Sequence, residues 1–280
     1  MRRGEFRKYF KSMGPVVLPV IHVLDSSQAK RNLATVIECG APGAFLINHD
    51  FDVDRFLPII EDCRRAYPDL WLGVNFLGVS GETAFPILGR LAEQGVAVDA
   101  YWADDARVDE RAAEQTAAES ITKVRSSSAW DGLYFGGTAF KKQRAVEPAN
   151  YREAAGIAAK FMDVVTTSGI ATGQSAQIQK IHDFREGVAD RPLAIASGIT
   201  PQNVGDYMAQ GDAFLVATGV NYPDDFYNLD PRRLRQLLGK VRQFGAQGCD
   251  DEETARGKSG DEDWYLKHMA PNVKDSKMAW

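Results

Sequence analysis

Short apolar, β-branched runs recur along the chain, and between them apolar side chains return every third or fourth position. The runs predict strands near Val16–Val23, Ala44–Asn48, Leu70–Phe76, Ala97–Trp102, Gly132–Phe135, Met162–Thr167, Leu193–Ala196 and Ala213–Ala217. The stretches between them predict amphipathic helices. Phe56, Leu57, Ile60 and Cys63 share one face over Asp54–Tyr67; Phe85, Leu88 and Leu91 do so over Thr83–Glu93, and Leu234, Leu237, Leu238 and Val241 over Asp230–Phe244. Asp52, Asn150 and the pair Thr200-Pro201 stand where helices should start.

Strands that read as continuous apolar runs are buried on both faces, as in a parallel sheet covered by helices. Eight strand–helix units fit a closed (β/α)8 TIM barrel of about 240 residues. No G-x-G-x-x-G follows the first run, as a doubly wound nucleotide-binding sheet would require. The expected fold class is therefore α/β: a basic N-terminal extension over 1–14, a barrel over 15–247, and an acidic linker with a C-terminal tail over 248–280. Residues 250–263 hold seven acids against two bases and cannot bury a core. Beyond them come Trp264, Tyr265, Leu266, Met269 and Trp280, which suit either a disordered tail or an arm docking on the barrel or on a second copy.

Composition narrows the classes of function. The chain has 280 residues, 44% hydrophobic and 25% charged, with 33 Lys and Arg against 38 Asp and Glu. The net charge of −5 supplies no field that would draw nucleic acid or an anionic membrane. Cys39, Cys63 and Cys249 are odd in number and never in C-x-x-C spacing, which argues against a disulfide framework or a zinc knuckle and for a reducing, cytoplasmic setting. Arg2, Arg3, Arg7, Lys8 and Lys11 followed by apolar Val16–Leu24 imitate a secretion signal. That run is short, carries Pro19 and His22, and leads into Asp25, so a buried first strand is the expectation. No stretch approaches the roughly 20 apolar residues of a membrane helix.

In such a barrel, function belongs to the loops at the carboxyl ends of the strands. Strand seven ends Ala196-Ser197-Gly198-Ile199-Thr200-Pro201 and strand eight ends Ala217-Thr218-Gly219-Val220. Glycines that admit a ligand, small hydroxyl donors and a helix start at Thr200 together predict a phosphate cradle. The strand-six exit, with Thr172 and Gly173, is expected to close over it. Strand five exits through Gly136-Gly137-Thr138 to Lys141, Lys142 and Arg144. That cluster fits a solvated loop, an anion site, or a reactive Lys141 amine if desolvated. His22, Asp50 and Asn75 are the expected catalytic set, His22 and Asp50 as acid and base and Asn75 orienting a carbonyl or hydroxyl. No cofactor is expected; Mg²⁺ on Asp25, Asp50, Asp104 or Asp105 is the one open alternative.

The segments M-D-V-V-T-T-S-G-I-A-T-G-Q-S-A-Q from Met162, P-L-A-I-A-S-G-I-T-P-Q-N-V, D-A-F-L-V-A-T-G-V-N and L-D-P-R-R-L-R-Q-L-L resemble the BtpA/SgcQ family of TIM barrels. The resemblance covers roughly Met162–Val241 and puts Thr172, Gly173, Ser197, Gly198, Thr200, Asn203 and Thr218 on shared motif positions. The amino-terminal half departs from the family. His22 answers the family's histidine, and Gly73-Val74-Asn75 keeps G-V-N without the following R-N-D. Asn48-His49-Asp50 replaces E-N, and Lys141-Lys142 replaces D-V-x-x-K-H. The resemblance implies a retained phosphate end and a remodelled reacting end. Two functions follow. One is an enzyme acting on a phosphorylated sugar or ribosyl phosphate by isomerase, lyase or glycosyl-bond chemistry. The other is a catalytically silent barrel serving as an assembly or stability factor. A polar cavity favours the first; a mouth plugged by Trp102, Phe140 or the tail favours the second. The expected partner is a phosphorylated small molecule, with no membrane and no nucleic acid, and with a homo-oligomer as an option.

Overall fold

A computed structural model describes residues 1–255, with side chains through residue 247. Helix α1 (Arg3–Tyr9) precedes β1 (Val16–Val23), α2 (Ser26–Cys39), β2 (Gly43–Asn48), α3 (Val53–Ala66), β3 (Trp71–Asn75) and α4 (Gly81–Glu93). Then come β4 (Ala100–Ala103), α5 (Thr116–Ser127), β5 (Leu133–Gly137), α6 (Tyr151–Ala158), β6 (Val164–Ser168), α7 (Ile178–Val188), β7 (Leu193–Ala196), β8 (Ala213–Val216) and α8 (Pro231–Ala255). The strands pair in parallel in sequence order, and β8 closes on β1, with Val16 opposite Ala213. The fold is a (β/α)8 TIM barrel.

The strand period of two sorts the apolar residues into two cores. Along β1, Val16, Leu18 and Val20 join a cluster inside the barrel with Phe45, Trp102, Phe135 and Leu215. Val17, Ile21 and Val23 join the cluster between sheet and helices. This two-sided burial is why the strands read as unbroken apolar runs. Helix starts follow local chemistry: Asp25 caps α2 by accepting from the Gln28 amide at 2.7 Å, and Asp52 caps α3 by accepting from Arg55 at 3.0 Å.

Three expectations change. Thr200-Pro201 opens no α-helix; turns lead to a single 3₁₀ turn at Val204–Asp206 before β8. The physical reason is local competition. Asn203 Oδ1 accepts the Thr200 N–H at 2.8 Å, Asn203 Nδ2 donates to the Gly198 carbonyl, and Thr200 Oγ1 accepts the Gln202 and Asn203 amides. Residues 1–14 are also more than a basic extension. Phe6 is 1% exposed, its ring 6.4 Å from Phe135, while Phe10 lies 5.2 Å from Trp71. Arg3 and Arg185 both bind buried Asp212, at 2.8 and 2.7 Å. Helix α1 thus covers the amino end of the barrel. Finally, α8 continues to Ala255, across the boundary expected at 247. The aromatic end from Trp264 and most of the acidic linker lie outside the described residues. Among the described residues, no helix is long and apolar enough to cross a membrane.

Candidate functional site

At the carboxyl end of the strands a cavity opens among the exits of all eight strands, with Leu77 contributed from the exit of β3. One wall is cationic and rich in hydroxyls: Lys141, Lys142, Thr172, Gly173, Ser197 and Thr218. The opposite wall holds the ionisable groups His22, His49 and Asp104. Val20, Ile47, Trp102 and Leu215, which belong to the barrel-interior cluster, supply the apolar lining.

Lys141 is the centre of the first wall. Its Nζ donates to Ser197 Oγ at 3.0 Å and to Thr172 Oγ1 at 3.3 Å. No carboxylate lies within 4 Å of it among the described residues. Burial lowers its pKa below the ordinary lysine value; the Asp104 carboxylate opposes this and the Lys142 charge adds to it. Ser197 sits at φ 72, a left-handed conformation rare outside glycine that costs on the order of 1–2 kcal/mol. A strained residue at this place holds its hydroxyl against the lysine.

On the second wall, His22 is 5% exposed and its Nδ1 lies 2.9 Å from the Phe226 carbonyl oxygen. A carbonyl only accepts, so Nδ1 carries the proton and Nε2 keeps its lone pair. The ring stacks on Phe226 at 3.7 Å and meets His49 edge-on at 4.7 Å. Burial pushes its pKa down to about 4, so the imidazole is neutral at pH 7. His49 is lowered in the same direction by burial and then by Lys141. Asp104 moves the other way: burial raises its carboxyl, against the Asn75 amide, which donates to Oδ1 at 3.0 Å, and against Lys141.

The structure brings together His22, Thr172, Gly173, Ser197 and Thr218 from the expected set. It does not bring in the others. Asp50 is exposed and accepts from Tyr227 Oη at 3.0 Å. Asn75 is 1% exposed and holds Asp104. Thr200 is engaged with Asn203. Gly198 and Gly219 are buried in loop–loop packing. A Cβ on Gly198, at φ 69, would stand 2.1 Å from the Ser175 nitrogen, and one on Gly219 would stand 1.9 Å from the Ile199 oxygen. These glycines let the loops approach each other. Lys141, Lys142, Asp104 and His49 are the ionisable cavity residues outside the expected set. Their signal is position: each follows a strand at its carboxyl end.

The four aspartates of the magnesium alternative have separate partners. Asp25 caps α2, Asp50 binds Tyr227, Asp104 binds Asn75, and Asp105 lies 3.5 Å from Arg107. Among the described residues, no group of three or more His, Cys, Asp or Glu side chains gathers as metal ligands would.

No protein-family model and no curated protein matches the chain. Among solved structures it is similar to the tryptophan synthase alpha chain of Legionella pneumophila subsp. pneumophila, at TM-score 0.60 and 14% identity over 88% of this chain and 98% of that one. It is also similar to the phosphoribosyl anthranilate isomerase of Thermus thermophilus, at 0.54 and 14% over 82% and 99%. A third structure, described as native KDPGal, scores 0.54 at 8% identity over 82% and 96%. At these identities the likeness is one of fold.

Proposed function

We propose that this barrel is an enzyme acting on a small phosphorylated compound, with Lys141 and the hydroxyls of Thr172, Ser197 and Thr218 receiving the phosphate. The observation that carries the reading is Lys141: a half-buried cation at a barrel mouth, met by neutral hydroxyls and, among the described residues, by no carboxylate within 4 Å. Such a group favours an incoming anion, and Thr218 is exposed beside it. The reacting end is His22 with Asp104. Their environments push the two pKa values in opposite senses, which suits a base and an acid working together. In an isomerisation, His22 Nε2 takes a proton from the carbon beside a carbonyl while Asp104 gives its proton to the carbonyl oxygen. His22 then passes its proton to the former carbonyl carbon while the hydroxyl on the first carbon returns its proton to Asp104, which forms the new carbonyl and restores both residues.

Two further likenesses support this reading. The Thermus thermophilus neighbour is named as an isomerase of a phosphoribosyl compound. Of the positions that resemble the BtpA/SgcQ motifs, Thr172, Gly173, Ser197 and Thr218 line the cavity, whereas Gly198, Thr200 and Asn203 do not. A plugged mouth would favour the silent-factor alternative; among the described residues, Trp102 and Phe140, with ring centres 5.8 Å apart, leave a cavity that His22, Asp104, Lys141 and Thr172 also line. The test is calorimetric titration with inorganic phosphate and with ribose 5-phosphate at pH 7. Lys141→Met is expected to weaken binding at least tenfold; the same affinity in this variant would remove Lys141 from the anion site.

A further inference from the structure

Lys180 is a charged side chain with three arguments against its being where it is. It is 8% exposed, its pKa shift has desolvation as the sole cause, and it stands in the first turn of α7. There the helix dipole repels a cation. The rings of Tyr151 and Phe184 lie 5.2 and 5.6 Å from its Nζ. An apolar residue would fill the same space without a buried charge. What the lysine does instead is bind two carbonyls from two different strand exits: Ala139 at 2.6 Å and Ser168 at 2.7 Å.

Both carbonyls lead to Lys141. Ala139 at φ 47 and Lys142 at φ 61 are left-handed, non-glycine residues on either side of it. A turn bent through two such residues persists only where its surroundings hold it. Thr167 Oγ1 also donates to the Ala139 oxygen, at 3.4 Å, and Ser168 Oγ accepts the Lys141 N–H at 2.8 Å. The buried ammonium therefore fixes the carbonyl at the start of the turn and the residue that holds the Lys141 backbone.

We propose that Lys180 is a positioning residue: by clamping the β5 and β6 exits together, it holds the strained turn that puts Lys141 against Ser197 and Thr172 in the cavity. The inference deepens the anion-site reading and rests on it. Lys180 touches neither the cavity lining nor a substrate, so it acts through Lys141 alone.

The test reads the Lys141 amine itself. The intact protein is acylated with limiting acetic anhydride between pH 7 and 11, and labelling at each lysine is followed by mass spectrometry, with exposed Lys123 as reference. In the wild type, the Lys141 midpoint lies below that of an ordinary lysine, in the direction set by burial. Lys180→Met is expected to let the turn relax, moving that midpoint up to the ordinary range and weakening phosphate binding at least tenfold. Ser168→Ala cuts the link from the other side and is expected to move the midpoint the same way, with no further change in the double variant. Should Lys180→Met fail to fold, Ser168→Ala alone decides. An unmoved Lys141 midpoint in a cooperatively melting variant overturns the inference, whatever phosphate does. A moved midpoint in a protein whose wild type binds no phosphate would support the clamp and reject the anion reading instead.

Discussion

At the scale of single residues, the site is a problem of placing ionisable groups out of water. His22 meets it by having its Nδ1–H satisfied by the Phe226 carbonyl, which leaves Nε2 as a bare base at neutral pH. The fold carries a penalty for protonating it, and the sign follows from linkage. Its pKa falls from 6.5 to about 4 on folding, so the unfolded chain binds the proton first. The resulting stability is complete above pH 6.5 and is lost as pH falls towards 4, by up to about 3 kcal/mol for a shift of this size. His22→Gln should remove that dependence. Chemical denaturation at pH 7.5 and pH 4.5 is expected to show a smaller acid-induced loss in the variant than in the wild type, with part retained because His49 is shifted the same way. The same substitution should lower turnover on a phosphorylated substrate by about 10²–10⁴-fold, the usual contribution of a general base, while phosphate affinity holds. Asp104→Asn should do likewise, with Asp50→Asn near wild type because Asp50 faces Tyr227.

At the scale of elements, the strands were largely legible because burial on two faces writes an unmistakable apolar run. β1 and β7 fall on Val16–Val23 and Leu193–Ala196 as the pattern predicts. The errors have causes. The fourth strand begins at Ala100, not Ala97, because Val98 is buried in the connection rather than in the ladder; apolarity reports burial, not pairing. The fifth runs on to Gly137, since glycines carry no apolar signal; a Cβ there would stand 1.9 Å from the Asp104 oxygen. Half of the site was legible from position after a strand, as with His22 and Ser197. The remainder depended on where side chains turn: the cluster Lys141-Lys142-Gln143-Arg144 fits a solvated loop, an anion site or a desolvated amine equally in the sequence, and only the structure shows Lys141 half-buried while Lys142 and Arg144 are exposed. Loop packing also reassigns Gly198. Gly198→Ala is expected to destabilise by about 1–3 kcal/mol, because its φ of 69 and the Ser175 nitrogen both resist a methyl group. Phosphate affinity should fall with it, as Ser197 shifts. Unchanged affinity together with an unchanged melt would show that the loops tolerate the side chain and that the packing argument is wrong.

At the scale of the whole molecule, the two ends of the barrel divide the labour between stability and function. The carboxyl end holds Ser197, Ala139 and Lys142 at positive φ, as the amino end holds Lys11 and Ala189, and adds a desolvated lysine and a histidine held neutral. The amino end is closed by α1, with Phe6 packed under Phe135 and Arg3 bound to Asp212, which also holds Arg185. In such barrels the carboxyl-end loops carry function and the opposite face carries stability. The division predicts a double dissociation. Phe6→Ala opens a cavity under the barrel core and should lower unfolding free energy by about 3–5 kcal/mol, the usual loss for a buried phenylalanine. Below its melting transition, the variant should bind phosphate with wild-type affinity. Lys141→Met should do the reverse. Removing a desolvated cation leaves no partner unpaired but the hydroxyls of Ser197 and Thr172, so the melt should move little while phosphate binding is lost. The pair is measured by denaturant unfolding and by phosphate titration on both proteins. If Phe6→Ala weakens phosphate binding as much as Lys141→Met does, the two ends are energetically coupled, and the mouth cannot be read as a site mounted on an independent base.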